Sequence, residues 1–512
     1  MYICFMALDY IYKTEPRKHQ RDWLEKFAEV EAHALHFEQG TGKTKVVIDN
    51  IAYLYEQKKI NGALVVAPNG IDLNWLIDEI PTHLPERIRK ETRLFRFSTK
   101  KSGTKWHKEQ VKWCREHHGL SWMLMSYDAF MTQEGKEAAL KFMEQREAFY
   151  VLDESTRIKT PGAKRSQRIV KTAHRSKYRR TMTGTPMPNG AFDIYKQMEF
   201  LDPLFWERHR WNNFAMFKNY FGVFEDASFG RVLPPGSHYE LKRCIGYQHL
   251  DELNKLILPI SSRVLKADVL DLPPKVYQFR YFDLSRRQRE LYEELKEEYK
   301  IWLDEQTLVT ANLAIVRLLR LQQISCGYLP TGEDEPVHMI EGGNPRLDLL
   351  EELLEDFTDK AIIWSRYKLD IDLISDLLRT KGLKYVIYDG RTSDEDRIKA
   401  KEDFQRGDAQ FFVSNPAAAG EGLTLHAAKA VIYYTNSFNL NHRLQSEDRA
   451  HRDGLKHSVN YIDLIGRDTI DRQILLNLTG KMDVADAVLG DAPGNDIRGQ
   501  LKKWIEDDTT IE

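Results

Sequence analysis

The chain of 512 residues is long enough for two to four domains, each with its own core. With 42% hydrophobic and 11% aromatic residues it has the composition of an ordinary globular protein. Lys+Arg 75 against Asp+Glu 77 leaves a formal charge of −2, so net charge does not announce a nucleic-acid partner and any basic surface must be local.

The N-terminal MYICFMAL is too short for a membrane span and lacks a basic start or a small-residue cleavage site. Cys4, Cys114, Cys244 and Cys326 lie too far apart for a zinc knuckle or a redox motif. Reduced thiols, a cytoplasmic location and no membrane partner are expected.

The first strand, HALHF, runs into FEQGTGKTK and then the helical VVIDNIAYLYEQ. A Gly-rich turn before a helix aims backbone N–H groups and the helix dipole at an anion. Phe37 stands where the strict phosphate-loop pattern has its first Gly, but G-x-G-K-T survives from Gly40 to Thr44. Gly40, Thr41 and Gly42 would cradle phosphates, Lys43 would reach them, and the Thr44 hydroxyl would ligate Mg²⁺.

GALVVAP and WMLMS are the next strands, with FSTKKSGTKWHKEQVKW between them bringing five lysines near Trp106 and Trp113. FYVLDE then ends in Asp153 and Glu154. Paired with a phosphate loop, such a strand end places Asp153 on Mg²⁺ through water and Glu154 on the attacking water. Neither carboxylate needs a raised pKa for this. Between Thr160 and Arg180 eight basic residues occur with no acid, Lys164, Arg165 and Arg168 among them. That run and the Lys/Trp stretch are candidate nucleic-acid surfaces; the alternative is two solvated faces.

YRRTMTG is the last strand of the first set. From Pro203 to Leu258 aromatic and polar residues mix without strand periodicity, and RVLKADVLDLPPK supplies a hinge at Pro273-Pro274. A charged helix, SRRQRELYEELKEEYKIWLDEQ, precedes a second strand set: KAIIWS, LKYVIYD, QFFVSN, AVIYYT and VNYIDLI. Strands alternating with helical segments, twice over, predict two α/β domains with parallel sheets. Within LQSEDRAHRDG, Gln445, Arg449 and Arg452 are spaced by four and three, which predicts one helical face. Guanidinium groups suit a transferring phosphoryl group; the alternative is an exposed helix with ion pairs to Glu447 and Asp448.

With these elements in order, the chain resembles the Swi/Snf-type ATPases of helicase superfamily two, in a compact bacterial or viral form. The resemblance rests on PRKHQRDWL, VVAPNGIDLNWLIDE, LMSYDAF, the TGTP core with Pro-x-Asn, RVLKADVLDLPPK, SNPAAAGEGLTLHAA and the Gln–Arg–Arg set. It implies that Gln20 contacts adenine with support from Arg17, and that Gly422 also serves the nucleotide. Thr183 and Thr185 would couple nucleotide to nucleic acid together with Thr156, where many relatives have His or Asp. Asn74 and Trp75 are expected at nucleic acid.

The implied fold is α/β, two RecA-like parallel-sheet lobes in tandem with a mainly helical insertion between them. The expected boundaries are 1–203 for lobe one, 204–272 for the insertion and hinge, 273–483 for lobe two with a protrusion at 285–345, and 484–512 for an acidic tail. The implied activity is that of a monomeric motor using ATP and Mg²⁺ on double-stranded or branched DNA, for fork or branch remodelling or protein displacement. The rivals are a strand-separating helicase on DNA or RNA, and a scaffold that binds ATP without hydrolysing it.

Overall fold

Parallel sheets bury both faces, so their central strands read as continuous apolar runs. In the computed structural model the runs of the first two hundred residues form β1 (Ala32–Phe37), β2 (Gly62–Ala67), β3 (Thr92–Arg96), β4 (Leu120–Ser126), β5 (Ala148–Asp153) and β6 (Tyr178–Met182). The structure describes residues 9–226, 242–305, 311–330, 337–355, 357–417 and 423–489. A two-stranded ribbon, β7 (Gly222–Asp226) and β8 (Lys242–Tyr247), follows, and then the short strand β9 (Ser261–Val264).

The first sheet has the order β3-β4-β2-β5-β6-β1-β9, with every pairing parallel. Successive side chains alternate faces: Leu64, Met123 and Tyr150 enter one core, and Val65, Leu124 and Val151 enter the other. The order places β6 between β1 and β5, so three loops at carboxyl ends of adjacent strands lie side by side. Open α/β sheets bind ligands at that edge.

The second sheet contains β10 (Lys275–Phe282), β13 (Ala361–Trp364), β14 (Tyr385–Tyr388), β15 (Phe411–Ser414), β16 (Ala430–Tyr433) and β17 (Val459–Gly466). Between β10 and β13 the chain forms the antiparallel pair β11 (Tyr328–Pro330) and β12 (Val337–Met339). The order is β10-β17-β16-β13-β15-β14, again parallel. Ile362 and Val431 face one core, Ile363 and Ile432 the other.

Two compact units divide the chain. One takes Met1–Gly222, Tyr247–Asp271 and Val484–Ala492; the other takes Val223–Gly246, Leu272–Asp483 and Pro493–Glu512. Three strands of the two large sheets were not legible as such, β3, β9 and β10, and neither were the two-stranded pairs β7-β8 and β11-β12. β9 is short and polar, and it holds its place through backbone pairing to β1. The stretch expected as an insertion carries the helices Phe205–Arg208, Phe214–Phe221 and Leu250–Ile257. Its aromatics Trp206, Trp211, Phe217 and Phe221 belong to the first unit's core, which is why no separate periodicity marks them. The final helix, Ile470–Leu489, runs past the expected start of the tail, and Val488 and Leu489 are buried in that same core. Among the described residues no helix is long and apolar enough to cross a membrane.

Candidate active site

β1 ends at Phe37, and two glycines turn the chain into the helix Lys43–Glu56: Gly40 with φ +81° and Gly42 with φ +84°. Both lie in the left-handed region that favours glycine. At Gly42 space also forbids a side chain, because a Cβ there would come within 2.0 Å of Gln20 Nε2. Gln20 is buried, donating from Nε2 to the carbonyls of Thr41 (3.2 Å) and Gly42 (3.4 Å) and accepting from the Arg17 amide (2.8 Å). The residues assigned to adenine thus brace the loop itself. Lys43 Nζ donates to Phe37 O at 2.8 Å and Glu38 O at 3.2 Å, and the Thr41 hydroxyl donates to Glu38 O at 2.7 Å. Phe37 fills core space where the strict pattern has Gly, and only its carbonyl takes part in the loop. Thr44 is half-buried in the helix's first turn.

Asp153 closes β5, and Glu154 follows with φ +48°, an uncommon conformation for a residue with a Cβ. The Trp75 indole donates to Asp153 Oδ2 at 2.9 Å, the Glu154 amide donates to Asp153 Oδ1 at 3.0 Å, and the Tyr127 hydroxyl donates to Asp153 O at 2.8 Å. Glu154 Oε2 accepts from the Thr183 hydroxyl at 3.2 Å, and Thr183 Oγ1 accepts from the Thr185 amide at 3.2 Å. Burial pushes both carboxyls above their ordinary pKa. For Asp153 the Trp75 bond and the Lys43 charge oppose it; for Glu154 the Lys43 charge does, while Asp153 adds to the rise. The roles expected of them need no raised pKa; the rise follows from sinking two acids into a closed strand end. Buried carboxylate and hydroxyl oxygens are the hard donors that Mg²⁺ takes, so Asp153 and Thr44 fit that ion.

Beside Thr156, where coupling is expected, a chain of side-chain hydrogen bonds starts at Ser155. Thr156 is buried, but it is the neighbouring Ser155 that donates to Gln197 Oε1, and Gln197 donates to Pro186 O and Asp193 O. Gln197 and Tyr127 were not singled out from the sequence. The available signal was a Gln among the buried positions of the helix Tyr195–Leu201, whose Met198, Phe200 and Leu201 are also buried.

Of the residues assigned to nucleic acid, Trp75 is misplaced: it is 1% exposed, and its one donor is spent on Asp153. A π-helical turn, Trp75–Glu79, rotates it inward, a local feature that recurs at functional sites. Asn74 is half-buried, 3.4 Å from Glu79 Oε1. The Thr160–Arg180 run is not one surface. Arg180 is fully buried, its guanidinium near the rings of Trp23 and Phe149, and Arg179 donates to Leu201 O. Lys164 is exposed, whereas Arg165 pairs with Asp128 at 2.6 Å and Arg168 donates to Met131 O. The helix Lys105–Glu116 keeps Lys105, Lys108 and Lys112 exposed, with Trp106 56% exposed.

In the second unit the helix Leu440–Ala450 carries Gln445 and Arg449 but ends before Arg452. The three are therefore not on one helical face. Instead, Arg449 donates to Leu423 O (3.2 Å) and Arg452 to the Thr424 hydroxyl (2.5 Å), which gathers both at the segment after Gly422. Gly422 itself lies outside the described residues. Glu447 is no surface partner for these arginines. It is buried, accepting from Arg443 Nε (2.7 Å), Lys275 Nζ (2.8 Å) and the Tyr277 hydroxyl (2.8 Å), while Arg443 also grips Asp463 with both terminal nitrogens.

Residues 19–327 match the SNF2-related domain family and residues 345–454 the helicase conserved C-terminal domain. Nuclear protein STH1/NPS1 of Saccharomyces cerevisiae is 27% identical over 88% of this chain and 33% of its own length. Human DNA annealing helicase and endonuclease ZRANB3 is 26% identical over 93% of this chain and 41% of its own. The chain thus spans only about a third to two fifths of these relatives. Among solved structures, the Sulfolobus solfataricus SWI2/SNF2 ATPase core in complex with dsDNA is similar, with 22% identity and a TM-score of 0.40, over 95% of this chain and 96% of that one.

Proposed function

The chain belongs to the SNF2-related domain family, with tandem RecA-like lobes, and on that premise we propose that it is an ATP-dependent translocase or helicase acting on duplex or branched DNA. One observation carries the proposal: the Lys43 ammonium lies close enough to Asp153 and Glu154 for its charge to oppose the rise that burial gives both carboxyls, so loop and acidic pair form one site. The loop amides and Lys43 bind the phosphates of ATP, with Gln20 and Arg17 beside them for the base. Mg²⁺, held by Thr44 and through water by Asp153, supplies charge neutralisation. Glu154, fixed by the Thr183 hydroxyl, orients the attacking water as an ionised base. In the second unit Gln445, Arg449 and Arg452 serve the transferring phosphoryl group, and Gly422 the nucleotide.

Thr183, Thr185 and Thr156 couple turnover to DNA, which is gripped through its backbone by Lys164, Arg165, Arg168 and Asn74 in a sequence-independent, salt-sensitive way. A monomeric state and a cytoplasmic location belong to the same proposal. The test is ATP turnover with duplex, branched and single-stranded DNA and with RNA, alongside triplex- and strand-displacement assays. Duplex or branched DNA is expected to stimulate best, with triplex displacement; stimulation by RNA alone overturns the proposal.

A further inference from the structure

The Lys/Trp stretch that follows β3 folds at one particular edge of the first sheet. β3 ends at Arg96, and the Phe97 amide donates to Leu124 O of β4 at 2.8 Å, which keeps the chain at the carboxyl ends of the strands. A single turn, Thr99–Lys101, then leads into the helix Lys105–Glu116. Two bonds fix that entry. The buried His107 ring accepts from the Ser98 amide at 3.1 Å, and the Thr104 hydroxyl caps the helix by accepting from the His107 amide at 3.2 Å. His107 and Cys114 turn inward, which leaves Lys105, Lys108 and Lys112 in solvent.

The sheet order β3-β4-β2-β5 sets what lies next to this turn. The short helix after β4, Tyr127–Met131, holds Arg165 through Asp128 and Arg168 through Met131 O. The helix after β2 ends in Asn74, and β5 ends in the acidic pair. All four strands are parallel, so these connections leave the sheet at one edge. The turn before Trp106 therefore continues the row of residues proposed to grip DNA, at the end away from the acidic pair.

The two tryptophans of the stretch differ. The Trp113 ring is covered by the Arg93 guanidinium. Trp106 is open, with the Lys101 ammonium 5.9 Å from its ring centroid. The lysine charges are little neutralised: Lys105 and Lys112 reach Glu109 and Glu116 only at 3.9 and 4.0 Å, and all four side chains are mostly exposed. Phosphates alone would call for the lysines and no ring. A paired base has its π-face hidden in the stack, whereas an unpaired base can lie on an open indole while neighbouring amines meet its phosphates.

We propose that Trp106, with Lys101 and Lys105 beside it, is a stacking site for an unpaired nucleotide of branched DNA, at the β3 end of the first unit's DNA surface. The inference rests on the reading of the chain as a DNA motor. It adds to that reading a preference for junctions that carry a single-stranded arm.

The experiment measures the affinity of the full chain for a blunt duplex, a forked duplex with single-stranded arms and a single-stranded oligonucleotide, by fluorescence anisotropy at low and moderate salt. The variants are Trp106→Ala, Trp106→Phe and a double variant, Lys101→Ser with Lys105→Ser. Trp106→Ala should weaken fork and single strand about tenfold, the order of one lost base–aromatic stack, and leave the blunt duplex within about twofold. Trp106→Phe should keep most of the affinity. The lysine variant should flatten the salt dependence on the fork; an unaltered slope overturns the share given to the lysines. Unchanged fork affinity in Trp106→Ala, or equal loss on fork and blunt duplex, overturns the stacking site and leaves the motor standing. A wild-type chain that binds none of the three DNAs overturns the proposed function and the inference with it.

Discussion

The Ser155 hydroxyl donates to Gln197 Oε1 at 2.6 Å, and the Gln197 amide donates onward to Pro186 O at 2.7 Å and Asp193 O at 2.9 Å. The residue after the acidic pair is thereby tied to the loop that follows β6. All of these groups are buried or nearly so, where an unmade bond costs about 1–3 kcal/mol. Gln197→Met should cost about that much stability and lower the ratio of DNA-stimulated to basal ATP turnover. A ratio equal to that of the wild type would remove this bond from coupling.

Glu154→Gln should keep nucleotide affinity while reducing turnover by at least about 100-fold, the lower range for loss of a positioned base. A pH signature accompanies it. Burial raises both carboxyls, so the folded chain holds their protons to higher pH than the unfolded chain does. Their contribution is then fully present below the unfolded pKa and is lost as pH rises through the raised folded value. Without nucleotide, Glu154→Gln should therefore gain stability relative to wild type between acidic and neutral pH. Thermal melts across that range read the sign; a relative loss contradicts it.

Trp75→Phe keeps an aromatic beside Trp122 but removes the donor to Asp153 Oδ2. Turnover should fall and its Mg²⁺ requirement should shift. DNA affinity should stay within about twofold, because a ring this buried has no face to offer a base or phosphate. A loss of DNA affinity with Mg²⁺ dependence intact would restore Trp75 to the nucleic-acid surface.

Arg443 is the least replaceable residue of the second unit's arginine helix. Burial alone would raise the Glu447 carboxyl, but the charges of Lys275 and Arg443 outweigh it and hold it at about 2. This stability is present above the ordinary carboxylate range and is lost as pH falls toward about 2. Arg443→Met leaves Glu447 and Asp463 buried beside one cation fewer, which should cost about 3–5 kcal/mol in urea unfolding. Adding Asp463→Asn should recover part of that. A near-neutral single variant would show the network to be dispensable.

Most of the fold was legible because a parallel sheet writes itself as apolar runs, and ten of these appear in order. β3, β9 and β10 were harder. Each is a sheet-edge strand, and an edge strand is fixed by backbone pairing more than by its own side chains. The aromatics from Trp206 to Phe221 were read as an insertion because a sequence cannot show that they pack under the first sheet. Among the site residues, those set by local chain geometry were readable: Gly40, Gly42 and Lys43 on a strand–turn–helix, and Asp153 and Glu154 at a strand end. The contacts made with distant partners were not, as Trp75, Gln197 and Arg443 demonstrate.

By itself the sequence determined the two α/β halves, the glycine turn between strand and helix and the acidic pair at a strand end, because each depends on residue type at short spacing. Only the tertiary structure decided what faces what. The 3.6-residue period extends only as far as the helix does, and this one stops at Ala450, so Arg452 meets Thr424 by a different route from its neighbours. Charge in a sequence has no address either. Arg180 and Lys164 belong to one basic run, yet strand β6 carries Arg180 into the core while a helix start leaves Lys164 in water. Pairing of β9 with β1 likewise set Lys266 against Gly40, more than two hundred residues away along the chain.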